Sequence, residues 1–261
     1  MRVRHIEAVL GWLLLCGCHS AGGVPARREY QQTLDSGTNA CRHNPAYCAV
    51  MPASVRTTAQ AGASVAGALK VMDAATQSRL HDILKKCATL ADQEVNLRLL
   101  DGKTPTAQQC EEQVGTDAAG KPITRAMQLG REKHEVALRC VQEHLSVERP
   151  GGFSLEQRYG YDMRTGALRL ITRAEAEAWL RSGQAGQLLG TLIPDVVIHL
   201  GDPLAPEDAF DFKFPCPISN SASWRRYPRN HPYEGRTQGQ MYEQALGIRP
   251  WLVVPILGAS Q

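Results

Sequence analysis

Two short apolar runs in the last third of the chain constrain it most, because each carries an acid inside it. Residues 192–200 (LIPDVVIHL) are rich in β-branched side chains and predict a strand, and residues 209–214 (AFDFKF) alternate and predict a second. Asp195 follows Pro194 on the first run. Asp211 and Lys213 stand two apart on the second, so their side chains share one face. Pairing the runs as a hairpin would bring Asp195 beside Asp211. Two carboxylates so placed repel, and a cation between them lets both stay ionised. Hard oxygen ligands suit Mg²⁺ or Mn²⁺, with the backbone carbonyl of Phe212 as a further ligand. A lysine beside such a cation can stabilise developing negative charge or orient an attacking water. A solvated charge pair on an edge strand is the alternative for so short a triplet.

The surrounding pattern predicts a mixed α/β (α+β) unit. Residues 123–145 read as a helix with the apolar stripe Met127, Val136, Leu138, Val141 and Leu145. Residues 157–162 and 167–171 flank Arg164-Thr165-Gly166 as a hairpin. Thr172 and Glu175 form a capping box for a helix to about Arg181. Residues 237–246 read as a helix, and residues 251–257 (WLVVPIL) as a closing buried strand. Upstream, Leu80, Ile83, Leu84, Cys87, Leu90 and Ala91 recur at helical spacing within residues 58–100, with Gly102 as a C-cap. A second short helix follows Thr106 through Gln113. Residues 115–122 (GTDAAGKP) are rich in breakers and read as a linker and the main boundary.

The chain opens with a basic Met1-Arg2-Val3-Arg4, and residues 8–18 (AVLGWLLLCGC) are almost wholly apolar. Eleven residues are too few to span a bilayer comfortably and match a signal-peptide core. Its end, Leu15-Cys16-Gly17-Cys18, resembles a bacterial lipobox. That implies cleavage after residue 17 and lipid on Cys18, anchoring the chain to a membrane; an ordinary secretory signal is the alternative. His19 after the cysteine implies the outer membrane on its periplasmic face. The expected divisions are a signal peptide (1–17), a tether (18–57), a helical delivery or linker region (58–115) and a catalytic-type domain (116–261). Six cysteines then remain, Cys41, Cys48, Cys87, Cys110, Cys140 and Cys216, which allow three disulfides in fifteen connectivities. Cys41 and Cys48 are the nearest local pair, and a zinc site from Cys41, His43 and Cys48 lacks the usual spacing.

In the order in which they occur, these residues resemble the PD-(D/E)xK nuclease superfamily. Ile193-Pro194-Asp195 and Asp211-Phe212-Lys213 stand where its two half-motifs would. Gly130-Arg131-Glu132-Lys133-His134-Glu135 resembles the Gly-x-x-x-His element of the RecB-type branch, and Gln238-Gly239-Gln240-Met241-Tyr242 its Gln-x-x-x-Tyr helix. The resemblance covers residues 123–257. It implies a helical N-terminal region followed by a restriction-endonuclease-like core, a mixed central sheet flanked by helices. It implies His134, Asp195, Asp211 and the Phe212 carbonyl as ligands of Mg²⁺ or Mn²⁺, and Lys213 as the catalytic lysine. Gln238 and Tyr242 would face the substrate backbone or brace the site. Glu135, or Glu132, is the fallback ligand, because other branches use a helix glutamate. A surface position on the helix is the alternative for His134.

Between the second strand and the Gln-x-x-x-Tyr helix lies residues 224–236, WRRYPRNHPYEGR. Arg225, Arg226, Arg229 and Arg236 could bind phosphates, and Trp224, Tyr227 and Tyr233 could stack on bases. An ordinary structured loop is the alternative. Net charge of only +3 excludes a polycation, so any nucleic-acid contact must be local. Hydrophobic residues at 43 % and charged residues at 21 % exclude wholesale disorder. A nuclease tethered to an outer membrane meets no genome at home. The combination therefore resembles polymorphic toxins, and most of all swarm-inhibition lipoprotein toxins of the SitA type, which implies action in the cytoplasm of competing cells, DNA more than RNA as substrate, and a cognate immunity protein. A non-enzymatic outer-membrane lipoprotein and a periplasmic scavenging nuclease are the rival expectations.

Overall fold

The computed structural model describes residues 72–117 and 120–261. The expected signal peptide, Cys18, the tether, residues 58–71 and the pair Cys41 and Cys48 lie outside the described residues. Helix α1 (Ala74–Leu100) is capped by the Asp73 carboxylate, which accepts from the Thr76 amide at 2.7 Å. Its C-cap is Asp101 in the left-handed region at φ 51°, with Gly102 at φ 78° directly after it. The glycine therefore stands one residue past the cap rather than at it. A short α2 (Ala107–Glu111) follows, with Thr106 and Gln109 in a reciprocal capping box. Gln113 does not extend it but opens β1 (Gln113–Thr116), which pairs antiparallel with β2 (Pro122–Thr124).

The described residues of the expected linker at 115–122 include the ends of β1 and β2, and the Asp117 amide donates to the Lys121 carbonyl. The apolar face of α1, Leu80, Leu84, Cys87, Ala88, Ala91 and Val95, is buried in one core with α3 (Arg125–Glu148). That core is shared by residues on both sides of the boundary expected between 115 and 116. A helix carrying such a stripe must bury it, and here it does so against the unit assigned downstream. Cys87–Cys140 joins α1 to α3, and Cys110–Cys216 joins α2 to the segment after the second expected strand.

Next come β3 (Phe153–Leu155), β4 (Tyr159–Tyr161), β5 (Leu168–Leu170), α4 (Arg173–Arg181), β6 (Thr191–Leu192), β7 (Val196–His199), β8 (Pro206–Phe212), α5 (Gln238–Leu246), β9 (Trp251–Val254) and β10 (Gly258–Ser260). The main sheet has the order β10-β9-β8-β7-β3, with β8 and β9 parallel and the other neighbours antiparallel. A smaller sheet, β5-β4-β6, contains the expected hairpin. The class is α+β with a mixed sheet flanked by helices, as the pattern implied. Alternation sorts the two faces. Val196, Ile198, Phe210, Phe212 and Val253 meet α1 and α3, while Val197 and Ala209 meet Met241, Tyr242 and Leu246 of α5. No helix among the described residues is long and apolar enough to cross a membrane.

Two expected strands are shorter than their apolar runs. Residues 192–200 divide between β6 and β7, because Pro194 lacks the amide a central strand needs. Ile193-Pro194-Asp195 therefore crosses from the small sheet to the large one. The closing strand stops before Pro255; Ile256 turns at φ 69° and Leu257 is exposed. β3 and β10, three residues each, carried no legible alternation.

Candidate active site

The crossing at Ile193-Pro194-Asp195 delivers Asp195 to the end of β8. Its Oδ2 accepts from the Phe212 amide at 2.7 Å and lies 3.3 Å from His134 Nε2. Asp211 stands on the face of Ala209 by alternation, beside Asp195. Both carboxylates are sealed from solvent, at 0 % and 1 % exposure, and His134 is 7 % exposed. His134 reaches them from α3. Its Nδ1 is 2.8 Å from the Gly130 carbonyl, which can only accept, so Nδ1 carries a proton there. Nε2 then faces two more acceptors, the Phe212 carbonyl at 3.1 Å and Asp195. A bare lone pair cannot sit against two oxygens. Nε2 either bears a proton or ligates a cation. Burial pulls this imidazole down, but Asp195 through charge and hydrogen bond, helped by the Gly130 carbonyl and Asp211, lifts it above its ordinary value.

Lys213 supplies the second positive charge. Its ammonium donates to Asp211 Oδ2 and, at 3.0 Å, to Gln238 Oε1. Gln238 Nε2 donates to the Tyr242 hydroxyl at 2.8 Å, which donates to the Ile193 carbonyl at 2.7 Å. This chain fixes which end of the Gln238 amide faces the lysine. Gln238 and Tyr242 are buried, and their hydrogen bonds tie the Lys213 ammonium to the Ile193 carbonyl. Trp224 covers the group: Lys213 Nζ lies 5.5 Å from its ring centre, Tyr242 meets it edge-on, and a Cβ on Gly239 would come within 2.6 Å of it. Asp211 is pushed up to about 7 by burial, against the pull of Lys213 and with Asp195 adding to the rise.

Two buried carboxylate oxygens, Asp195 Oδ1 and Asp211 Oδ1, have no hydrogen-bond partner. Buried polar atoms are rarely left so, and a cation is a standard reason. His134 Nε2, the two orphaned oxygens and the Phe212 carbonyl are a donor set that fits Mg²⁺ or Mn²⁺. Among the described residues, the only three Cys, His, Asp or Glu ligand atoms within 4.8 Å of one another belong to Cys87, Cys140 and His144. The ligand atoms of His134, Asp195 and Asp211 are thus not all within that distance of one another, and Asp211 is engaged by the Lys213 ammonium.

The structure separates other expected residues from this cluster. Glu132 pairs with Arg98 at 2.8 Å. Glu135 is raised by burial, with the charges of Arg131, Glu132, Arg139 and Arg98 also acting on it. In the 224–236 loop, Arg226, Arg229 and Arg236 are exposed and Arg225 is half-buried. Tyr227 and Tyr233 are not stacking platforms: both rings belong to the core on the α5 side, Tyr227 stacked on His231 and the Tyr233 hydroxyl donating to the Gly190 carbonyl at 2.6 Å. Two partners escaped sequence reasoning. The Gly130 carbonyl is four residues before His134, a spacing already visible in Gly-x-x-x-His. The Trp224–Gly239 contact had no signal beyond the lack of a side chain at 239. Comparison with protein-family models, curated proteins and solved structures finds no match to this chain.

Proposed function

We propose that this chain is an exported lipoprotein toxin whose C-terminal domain is a metal-dependent nuclease, hydrolysing phosphodiester bonds of nucleic acid, DNA before RNA, in competing cells. The observation that carries the nuclease reading is the pair of orphaned, fully buried carboxylate oxygens beside His134 Nε2 and Lys213. In support, four sequence elements of the resemblance lie in its order, two of them on the expected helices and two at strand ends, and His134, Asp195, Asp211, Lys213, Gln238 and Tyr242 are linked by contacts. The export reading is supported by the signal-like N-terminus and by two disulfides, which belong to oxidising compartments.

His134 Nε2, Asp195, Asp211 and the Phe212 carbonyl would hold Mg²⁺ or Mn²⁺. When bound, the ion supplies Lewis-acid polarisation of the scissile phosphate and a more acidic bound water. The Phe212 amide keeps the Asp195 carboxylate aimed while His134 gives up its Nε2 proton. Lys213, released from Asp211 but still held by Gln238, offers its ammonium to the phosphoryl oxygens where charge grows. Trp224 shields that ammonium from water. Arg226, Arg229 and Arg236 stand exposed between β8 and α5 and offer guanidinium groups to phosphates on either side of the cut.

The test is degradation of plasmid and of RNA by the oxidised full chain, wild type beside Asp211→Ala and Lys213→Ala, with Mg²⁺ and with EDTA. Cleavage that needs Asp211, Lys213 and metal is the expected result. Full activity in either variant, or cleavage in EDTA, overturns the site. Toxicity of the chain produced without its leader in a bacterial cytoplasm is expected of a toxin; cleavage in the tube without toxicity would make it a scavenger.

A further inference from the structure

A second donor set lies between α1 and α3. Cys87 and Cys140 are bonded to each other, and both sulfurs lie within 4.8 Å of a His144 ring nitrogen. Cys140 and His144 are four residues apart on α3, so they share one face of the helix, the spacing by which a helix presents two metal ligands. Cys87 faces them from α1. The sulfurs are buried, at 0 % and 6 % exposure, while His144 is exposed at the mouth. Among the described residues His144 makes no hydrogen bond or ion pair, and its ring nitrogen already lies within 4.8 Å of both sulfurs.

We propose that reduction of Cys87–Cys140 converts this disulfide into a metal site, with the Cys87 and Cys140 thiolates and His144 as three ligands of a zinc ion and water as the fourth. Two thiolates and an imidazole are the donors a tetrahedral zinc prefers over Mg²⁺. A thiol reductant delivers two electrons and two protons to the S–S bond and leaves as its own disulfide. Zinc then displaces both thiol protons. The sulfurs part to about 3.8 Å, as Zn–S bonds of about 2.3 Å in a tetrahedron require. Rotation about the two Cα–Cβ bonds supplies that separation. The ion takes over the cross-link between α1 and α3, so the core they share keeps its staple where a disulfide cannot last.

The test uses the full chain, oxidised or reduced with a phosphine (which the disulfide oxidises to its oxide, water giving the oxygen and the two thiol protons), titrated with Co²⁺ and then Zn²⁺. Cys87→Ser with Cys140→Ser, and His144→Ala alone, are run beside it. The expected result is one more equivalent of cobalt, with a thiolate charge-transfer band, in the reduced wild type than in the double-serine variant, displaced by zinc. His144→Ala should melt with the oxidised wild type yet bind cobalt about tenfold more weakly or worse when reduced, since even outer partners of a metal ligand are worth that much. Zinc should raise the melting temperature of the reduced wild type, in which Cys110–Cys216 is open as well, and should leave that of the reduced double-serine variant unchanged. Equal cobalt uptake by the reduced wild type and the double-serine variant overturns the site. So does a zinc-dependent rise in melting temperature that His144→Ala leaves whole, or a reduced wild type whose melt zinc does not raise. Cleavage activity enters none of these readouts, so the site stands or falls apart from the nuclease.

Discussion

Asp211→Asn should stabilise the chain in the absence of metal. Asp211 is 1 % exposed and its pKa is pushed from 3.8 to about 7. The folded state therefore holds that proton more tightly than the unfolded one. Stability from this group is full below 3.8 and is lost as pH rises through about 7. The gap of about three units corresponds to about 4 kcal/mol at about 1.4 kcal/mol per unit. Asparagine has the same shape and no charge to bury. Lys213 loses a partner, but its side chain is 22 % exposed and can take up water. The net gain at pH 8 in EDTA should be about 1–3 kcal/mol, which is about 3–10 °C in melting temperature for a chain of this size. Calorimetry at pH 8, 6 and 4.5 reads it, and the gain should shrink at each step down. Saturating Mg²⁺ should reverse the order, because only the wild type gains from an ion that binds the folded state alone. An Asn variant less stable at pH 8 in EDTA, or a gain that does not change with pH, would refute the reasoning.

Gly239→Ala places a Cβ within 2.6 Å of the Trp224 ring, which is itself packed on Tyr242, so stability should fall by about 1–3 kcal/mol and tryptophan emission should shift. Gln238→Leu removes the acceptor that holds the Lys213 ammonium at 3.0 Å; kcat should fall about 100-fold with KM little changed, and Gln238→Glu should recover part of the loss. An equal loss in KM would instead assign Gln238 to substrate binding. Replacing Cys110 and Cys216 by serine opens a link across 106 residues and should cost about 2–4 kcal/mol in chemical denaturation, with a steeper transition because the freed unfolded chain exposes more surface.

Most residues that meet at the site were legible because a single element explains their pattern; Asp195, on the crossing between β6 and β7, is the exception. Asp211 lies on β8 with Lys213 just past its end, His134 follows its partner Gly130 by one turn, and Gln238 precedes Tyr242 by one turn. What was not legible depends on long-range packing. The breaker-rich 115–122 segment has the composition of a linker and of a tight turn alike, and only the burial of α1 against α3 decides between them. Tyr227 and Tyr233 sit among four arginines in sequence, yet the loop folds their rings inward and leaves three of those arginines outside. Pro194 could be read as a motif residue but not as the point where the chain changes sheets, because neither sheet is visible from residues 192–200 alone.

Phe212 shows why the fold and the site cannot be separated at the end of β8. Its ring is fully buried against α1 and α3, its amide donates to Asp195 at 2.7 Å, and its carbonyl faces His134 Nε2 at 3.1 Å. One residue thus anchors the strand in the core and fixes two groups of the cluster through its backbone. A slip of one residue in the pairing of β8 would turn Phe212 out of the core and Asp211 into it. The hydrophobic cost of that slip protects the geometry of the charges. Phe212→Leu keeps an apolar side chain and both backbone groups, so it should lower stability by about 1–2 kcal/mol while cleavage by the folded fraction persists. Phe212→Asp keeps the backbone groups too, but it puts a charge on the buried face and should release the register, so that cleavage and cooperative melting disappear together. Cleavage retained in the aspartate variant would mean that the register does not depend on this ring, and the coupling argued for β8 would fail.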